Sequence, residues 1–118
     1  MKPEELRIGD WVYHSGNYNQ LMRVSLSSFD YAGFFTPVPL TSGWLGGFSN
    51  YRDGVYTWEH GPEFVSARQV PAGWDIEMFR HANDFTARIR YVHEMQHLIA
   101  DCGIELDINA PAKKDSNR

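Results

Sequence analysis

The sequence predicts one α+β domain: a small, partly open SH3-like antiparallel barrel or curled sheet with a C-terminal α-helix. The length of 118 residues suits a single domain that buries its own core. Ten Gly and six Pro supply turns, and 14% of the residues are aromatic, which favours strands. The clearest helical periodicity runs from Val92 to Cys102. Residues 1–109 are predicted to form the domain and residues 110–118 a flexible polar tail.

The first part of the chain predicts a β-hairpin. Gly9-Asp10 is a turn signal, residues 11–13 begin a strand, and residues 21–26 alternate as the returning strand after a polar loop at 15–19. This opening resembles that of an SH3-like barrel. The aromatic run from Phe29 to Phe35 predicts a further strand.

A proline-rich, apolar segment follows. Pro37 and Pro39 favour an extended path, and Thr41 or Ser42 can cap a short helical turn that carries Trp44. Its apolar character favours a plug packed against the sheet. The alternative is a Gly-rich binding loop that presents Trp44 to a partner.

Residues 51–65 predict a turn, a strand, a second turn and a second strand. Asp53-Gly54 and Gly61-Pro62 are the turn signals, and Tyr56 and Trp58 share one strand face. Together with Trp44 they form the candidate binding surface. Residues 66–84 predict a Pro-Ala-Gly turn and then a short helical turn or strand near residues 76–79.

The C-terminal part predicts strand, helix, strand. Residues 86–91 alternate in polarity, and the apolar positions from Val92 to Cys102 then follow the spacing of three and four that marks one helical stripe. Gly103 is the expected left-handed cap. Ile104, Leu106 and Ile108 alternate with polar residues and predict a last short strand.

This helix contains the chain's one recognisable chemical motif, His93-Glu94-Met95-Gln96-His97. It matches the H-E-x-x-H pattern, in which two histidines bind zinc and the glutamate is the general base. A third ligand must come from elsewhere. Asp101 lies one turn beyond His97 and is the nearest candidate; the others are Glu105, Asp107 and His81.

The position of the apolar stripe bears on this zinc hypothesis. The stripe centres near Met95 and Cys102, which predicts that His93 and His97 project to solvent and not into a sheltered cleft. Ordinary solvated residues, or a weak surface metal site with Asp101, are therefore favoured over a catalytic zinc centre.

The amino-acid composition argues against several functional classes and locations. The net charge of −4 argues against a general phosphate-binding role, because nonspecific nucleic-acid affinity requires clustered Lys and Arg. The single Cys102 excludes an internal disulfide and fits a reducing cytoplasm. No apolar run has transmembrane length and the first residues lack a signal-peptide pattern, so a cytoplasmic location without membrane contact is predicted.

Three blocks of sequence stand in a set order along most of the chain. They are Glu5-Leu6-Arg7-Ile8-Gly9 with Val12, then Pro37-Val38-Pro39-Leu40-Thr41 with Trp44, Leu45 and Phe48, then Ile89, Tyr91-Val92-His93, Gln96, Leu98, Gly103 and Glu105-Leu106. With these blocks the chain resembles a family of small uncharacterised proteins encoded by phages and conjugative elements of gut bacteria. The family motifs read E-L-R-I-G-N-x-V, P-I-P-L-T-E-E-W-L-x-x-F and I-x-Y-V-H-Q-L-Q-N-L-Y-F-A-L-T-G-E-E-L.

The resemblance implies no activity, cofactor or catalytic residue, but it bears on the zinc motif. Where the family pattern reads H-Q-L-Q-N, this chain has Glu94 and His97, so the complete motif is not a shared feature. His93 and Gln96 are shared. His93 is expected to cap or hydrogen-bond at the helix N-terminus, and Gln96 to reach a backbone group of the neighbouring loop.

Three functions compete. The leading hypothesis is a non-enzymatic phage or mobile-element accessory domain that binds a protein partner or forms a homo-oligomer, because no catalytic constellation converges and aromatic residues are abundant. The second is a zinc-dependent hydrolase with Glu94 as base and His93, His97 and Asp101 as ligands. The third is weak single-stranded nucleic-acid binding by stacking on Tyr56 and Trp58, which the acidic balance disfavours.

Overall fold

The computed structural model of the chain describes residues 1–14, 20–48, 50–80 and 83–111. The fold is α+β, with two antiparallel sheets and a C-terminal helix, α1 (Val92–Asp101). The strands in the described ranges are β1 (Trp11–His14), β2 (Gln20–Arg23), β3 (Phe35–Pro37), β4 (Asn50–Arg52), β5 (Val55–His60), β6 (Glu63–Val70), β7 (Gly73–Arg80) and β8 (Asn83–Ile89). Short 3₁₀ segments occupy Pro3–Glu5, Leu26–Phe34 and Ser42–Leu45.

The N-terminal sheet has the order β2-β1-β3 and confirms the predicted hairpin. The predicted polar loop at 15–19 lies outside the described residues. The strand predicted at Phe29–Phe35 is wrong: a 3₁₀ segment runs to Phe34, and β3 begins at Phe35. Two serines favour the 3₁₀ segment over a strand. The Ser25 N–H donates to Ser28 Oγ at 3.0 Å, and such local bonds favour turns over extended chain.

The second sheet is a meander in the order β4-β5-β6-β7-β8, with each strand antiparallel to the next. The turns at Asp53-Gly54 and Gly61-Pro62 are confirmed. Of the two alternatives for residues 76–79 the strand is correct, and it extends from Gly73 to Arg80. Gly73 has φ +144°, and a Cβ there would overlap the Ile89 carbonyl oxygen, so the closest approach of β7 to β8 requires glycine.

The main core lies between one face of this meander and α1. Trp74, Ile76 and Met78 from the sheet and Met95 and Ile99 from the helix are buried there. The Pro37–Phe48 segment closes the core on one side, where the Trp74 Nε1–H donates to the Leu40 carbonyl at 2.8 Å. A smaller core lies under the N-terminal sheet and contains Leu6, Val12, Val24, Ala32 and Phe35.

Two details differ from the predicted architecture. The sheets remain separate and do not close into an SH3-like barrel. Residues 104–108 alternate between buried and exposed as expected, but they join no ladder, so the last strand is wrong. They cross the core instead, where the Trp11 Nε1–H donates to the Ile108 carbonyl at 2.9 Å. The helix and its cap are confirmed, with Gly103 at φ +72°.

None of the helices in the described ranges combines the length and apolar character that crossing a bilayer demands.

Candidate functional site

The glutamate of the helical motif caps its own helix. Glu94 Oε1 accepts hydrogen bonds from the backbone N–H of Tyr91 at 3.0 Å and of Arg90 at 2.9 Å. The third residue of a helix often satisfies the free N–H groups of the first turn in this way. The carboxylate expected to act as a general base therefore has a structural role in the folded chain.

The opposite end of the motif holds the N-terminal turn against the helix. Gln96 Oε1 accepts from the Trp11 N–H, and Gln96 Nε2 donates to the Gly9 carbonyl, both at 2.9 Å. The His97 Nε2–H donates to Asp10 Oδ2 at 2.7 Å. Asp10 is buried and also accepts the Arg7 N–H at 2.8 Å. The expected contact of Gln96 with a neighbouring loop backbone is confirmed.

The prediction that His93 and His97 face solvent is wrong. The N-terminal turn covers this side of the helix, so that only 8% of His93 and 21% of the His97 side chain remain exposed. Burial lowers the pKa of His93, and the nearby Asp10 carboxylate opposes this shift only in part. His93 Nδ1 has no hydrogen-bond partner among the described residues, so this nitrogen does not cap the helix.

The third candidate ligand is also engaged. Asp101 receives two hydrogen bonds from the Arg7 guanidinium, at 2.7 and 3.1 Å, and this pairing lowers the pKa of the Asp101 carboxyl. His81 lies outside the described residues. Within the described ranges, His, Cys, Asp and Glu side chains form no group of three that could hold a metal ion. The zinc motif here connects the helix to the N-terminal sheet.

The aromatic residues of the candidate binding surface pack against the main core. Trp44 is buried and packs edge-on against Trp11, with ring centroids 5.5 Å apart. Tyr56 and Trp58 are half-buried against the main core. The Trp44 segment is therefore a core plug, as its apolar character indicated, and Tyr56 contacts Trp74 at a centroid distance of 6.1 Å.

A hollow lies on the other face of the meander, which no described element covers. It has a volume of about 630 Å³. Alternate residues of β5 to β8 form its floor in cross-strand rows: Thr57, Ser66, Glu77 and Thr86 in one row, and Val55, Arg68, Asp75 and Arg88 in the next. Phe64 lines one end. The described lining includes no histidine or cysteine.

The charged row of the hollow contains one arginine that is ion-paired within the row and one that is not. Arg88 donates to Asp75 at 2.7 and 3.4 Å, and this bond lowers the pKa of the Asp75 carboxyl. Arg68 lies opposite Asp75 on the next strand and adds a weaker electrostatic contribution. Arg68 is exposed and makes no hydrogen bond or ion pair with any residue that the structure describes.

The sequence pattern did not identify the residues of this hollow as a candidate site. The signal was present as polar alternation along β6 and β7, in Ser66, Arg68, Asp75 and Glu77. Alternation indicates an outward face but not whether that face is concave.

Comparison with models of known protein families, with curated proteins and with solved structures finds no match for this chain.

Proposed function

We propose that the protein is a non-enzymatic protein-binding domain and that it binds its partner in the hollow of the five-stranded sheet. The observation that carries the proposal is the open hollow of about 630 Å³, lined by both polar and apolar side chains and within the size range of binding sites in proteins. The resemblance of the three sequence blocks supports a role as an accessory protein of a phage or mobile element.

The lining favours binding over catalysis. Its nucleophile-type side chains are the hydroxyls of Thr57, Ser66 and Thr86, and the described residues that line the hollow include no histidine to act as base. The acidic side chains Asp75 and Glu77 lie in different rows, and Asp75 is already paired with Arg88. Hydroxyls in a row on a rigid sheet are suited to hydrogen bonding with an extended polypeptide.

Arg68 indicates which type of side chain the partner carries. It brings a guanidinium without an ion pair to the hollow, and the polar row beside it offers donors and acceptors for main-chain groups. We infer that the bound segment carries an acidic side chain that pairs with Arg68. Such charge-assisted contacts contribute to specificity as well as to affinity.

The test compares four immobilised proteins in capture from a bacterial lysate, followed by titration of the purified retained protein. Ser66→Trp fills the hollow and Arg68→Glu reverses its available charge. Lys2→Glu, on an exposed distant site, makes the same charge change outside the hollow. We expect wild type and Lys2→Glu to bind alike, and the two hollow variants to bind at least about tenfold more weakly.

Circular dichroism checks that each variant is folded. Equal binding by all four proteins, or retention of no protein by the wild type, would contradict the proposal.

A further inference from the structure

Among the described residues, no strand pairs with the outer edge of β8 along most of its length. It is the last strand of the sheet order, and its ladder with β7 runs without interruption through seven residue pairs. Beyond β8, the described backbone contacts with the Pro39 segment are the two bonds of the Pro39–Tyr91 bridge, from the Leu40 N–H to the Arg90 carbonyl and from the Val92 N–H to the Val38 carbonyl. Both lie past the strand end, so no described segment covers residues 84–88.

The free backbone groups of β8 belong to alternate residues. The Ile89 carbonyl oxygen lies against Gly73 of β7, so Ile89 directs its polar groups towards that neighbour. Antiparallel ladders alternate, and residues of even number therefore direct their N–H and C=O groups outward. The Arg90 carbonyl follows this rule, because it bonds Leu40 on the outer side. Asp84, Thr86 and Arg88 thus present their N–H and C=O groups to the open edge.

Native sheets usually protect such an edge with charged side chains, especially lysine, with proline, with a bulge or by a short strand. The opposite edge, β4, has only three residues, whereas β8 has seven residues and no proline, lysine or bulge, and its two charged residues, Asp84 and Arg88, have opposite signs. Phe85, 43% exposed, adds apolar surface beside this edge.

We propose that β8 pairs antiparallel with β8 of a second copy of this chain, centred on Thr86. This inference concerns the sheet edge and goes beyond the proposed function, which uses the sheet face. In this register Asp84 lies opposite Arg88 of the second copy, and Phe85 lies opposite Ala87. The outward N–H and C=O groups of all three even-numbered residues then pair, and the two meanders form one continuous sheet.

Charge selects this register over its neighbours. Asp75 uses the Nε and Nη2 groups of Arg88, which leaves Nη1 for Asp84 of the second copy. Moving to either adjacent register places Asp84 opposite Thr86 or opposite Arg90, and Arg90 is blocked by its bond to Leu40. Opposite charges directly across a strand pair stabilise it, and a twofold axis makes the contact twice.

The experiment is sedimentation equilibrium of the full chain over a concentration series, with native mass spectrometry of mixtures. We expect a concentration-dependent dimer for wild type and for Glu59→Arg, a matched charge reversal on an exposed position away from the edge. Asp84→Arg alone and Arg88→Glu alone are each expected to weaken dimerisation at least about tenfold, because like charges then face each other.

An equimolar mixture of Asp84→Arg and Arg88→Glu restores opposite charges in a heterodimer, and we expect that heterodimer to form. Thr86→Pro provides a second test, because proline removes a central outward N–H but is tolerated on an edge strand. Circular dichroism confirms that each variant folds. A wild type that stays monomeric at every concentration, or a dimer that Asp84→Arg and Thr86→Pro leave unchanged, overturns the inference.

These outcomes are separate from those of the proposed function. A wild type that stays monomeric but binds its partner in the hollow overturns only the edge inference. Protection of the β8 amides from hydrogen exchange by the captured partner, in a monomeric protein, also overturns it, because the edge then serves another protein.

Discussion

Gln96→Ala tests whether the helix holds the N-terminal sheet through one side chain. The substitution removes the acceptor of the Trp11 N–H and one of two donors to the Gly9 carbonyl. Gly9 keeps Arg23 Nε as a donor at 3.0 Å, so that loss is partly compensated. The Trp11 N–H is partly buried, and leaving such a donor unpaired costs about 1–3 kcal/mol, with about 1 kcal/mol more for the second bond.

We therefore expect the free energy of unfolding to fall by about 2–4 kcal/mol. Urea denaturation followed by tryptophan fluorescence measures it, since Trp11 lies at this junction. Gln69→Ala, at an exposed position of β6, is the matched control and is expected to change stability by less than about 0.5 kcal/mol. Equal losses in the two variants would refute the junction argument.

Three further predictions follow from described contacts. Gly73→Ala is expected to lower the free energy of unfolding by about 2–4 kcal/mol, because this position has a positive φ and the added Cβ would overlap a strand carbonyl. Gly33→Ala is the control and should be nearly neutral, because the space around Gly33 is open, and thermal unfolding compares the two variants. Burial lowers the pKa of His93 below its ordinary value of 6.5, so the unfolded chain binds this proton first as pH falls. The free energy of unfolding, measured from pH 5.5 to 7.5, should thus decrease as the pH falls below about 6.5, by at most about 1.4 kcal/mol per pH unit. His93→Gln should flatten that decrease, and identical slopes in the wild type and the variant would contradict the assignment. Elemental analysis of untagged protein should find no stoichiometric zinc and no change in His97→Ala, and one zinc per chain lost in the variant would revive the hydrolase.

Local pattern predicted the helix, its glycine cap and most turns, because these depend on residues close together in the sequence. It also predicted that Gln96 contacts a loop backbone. It misplaced His97 because helical periodicity describes only the helix itself. The covering residue, Asp10, is 87 positions away, and no local pattern shows that it docks there.

For the segment 104–108, the local pattern predicted side-chain burial correctly but secondary structure incorrectly. Its alternation correctly indicated which side chains are buried. A strand also needs a neighbour with free backbone groups, and the segment instead crosses the core where the Trp11 indole bonds Ile108. The hollow could not be predicted either, because concavity depends on how β5 to β8 twist and on which elements leave their outer face uncovered.

The junction between the ends of the chain sets an order for folding during synthesis. The meander pairs only consecutive strands, so each hairpin can form soon after it leaves the ribosome. Docking of the N-terminal sheet on the helix has to wait, because the contacts of the N-terminal residues with Gln96, Asp101 and Ile108 span 85 to 97 positions. We expect the N-terminal sheet to be the last part to reach its final packing, and to be accessible to chaperones until the helix has been translated.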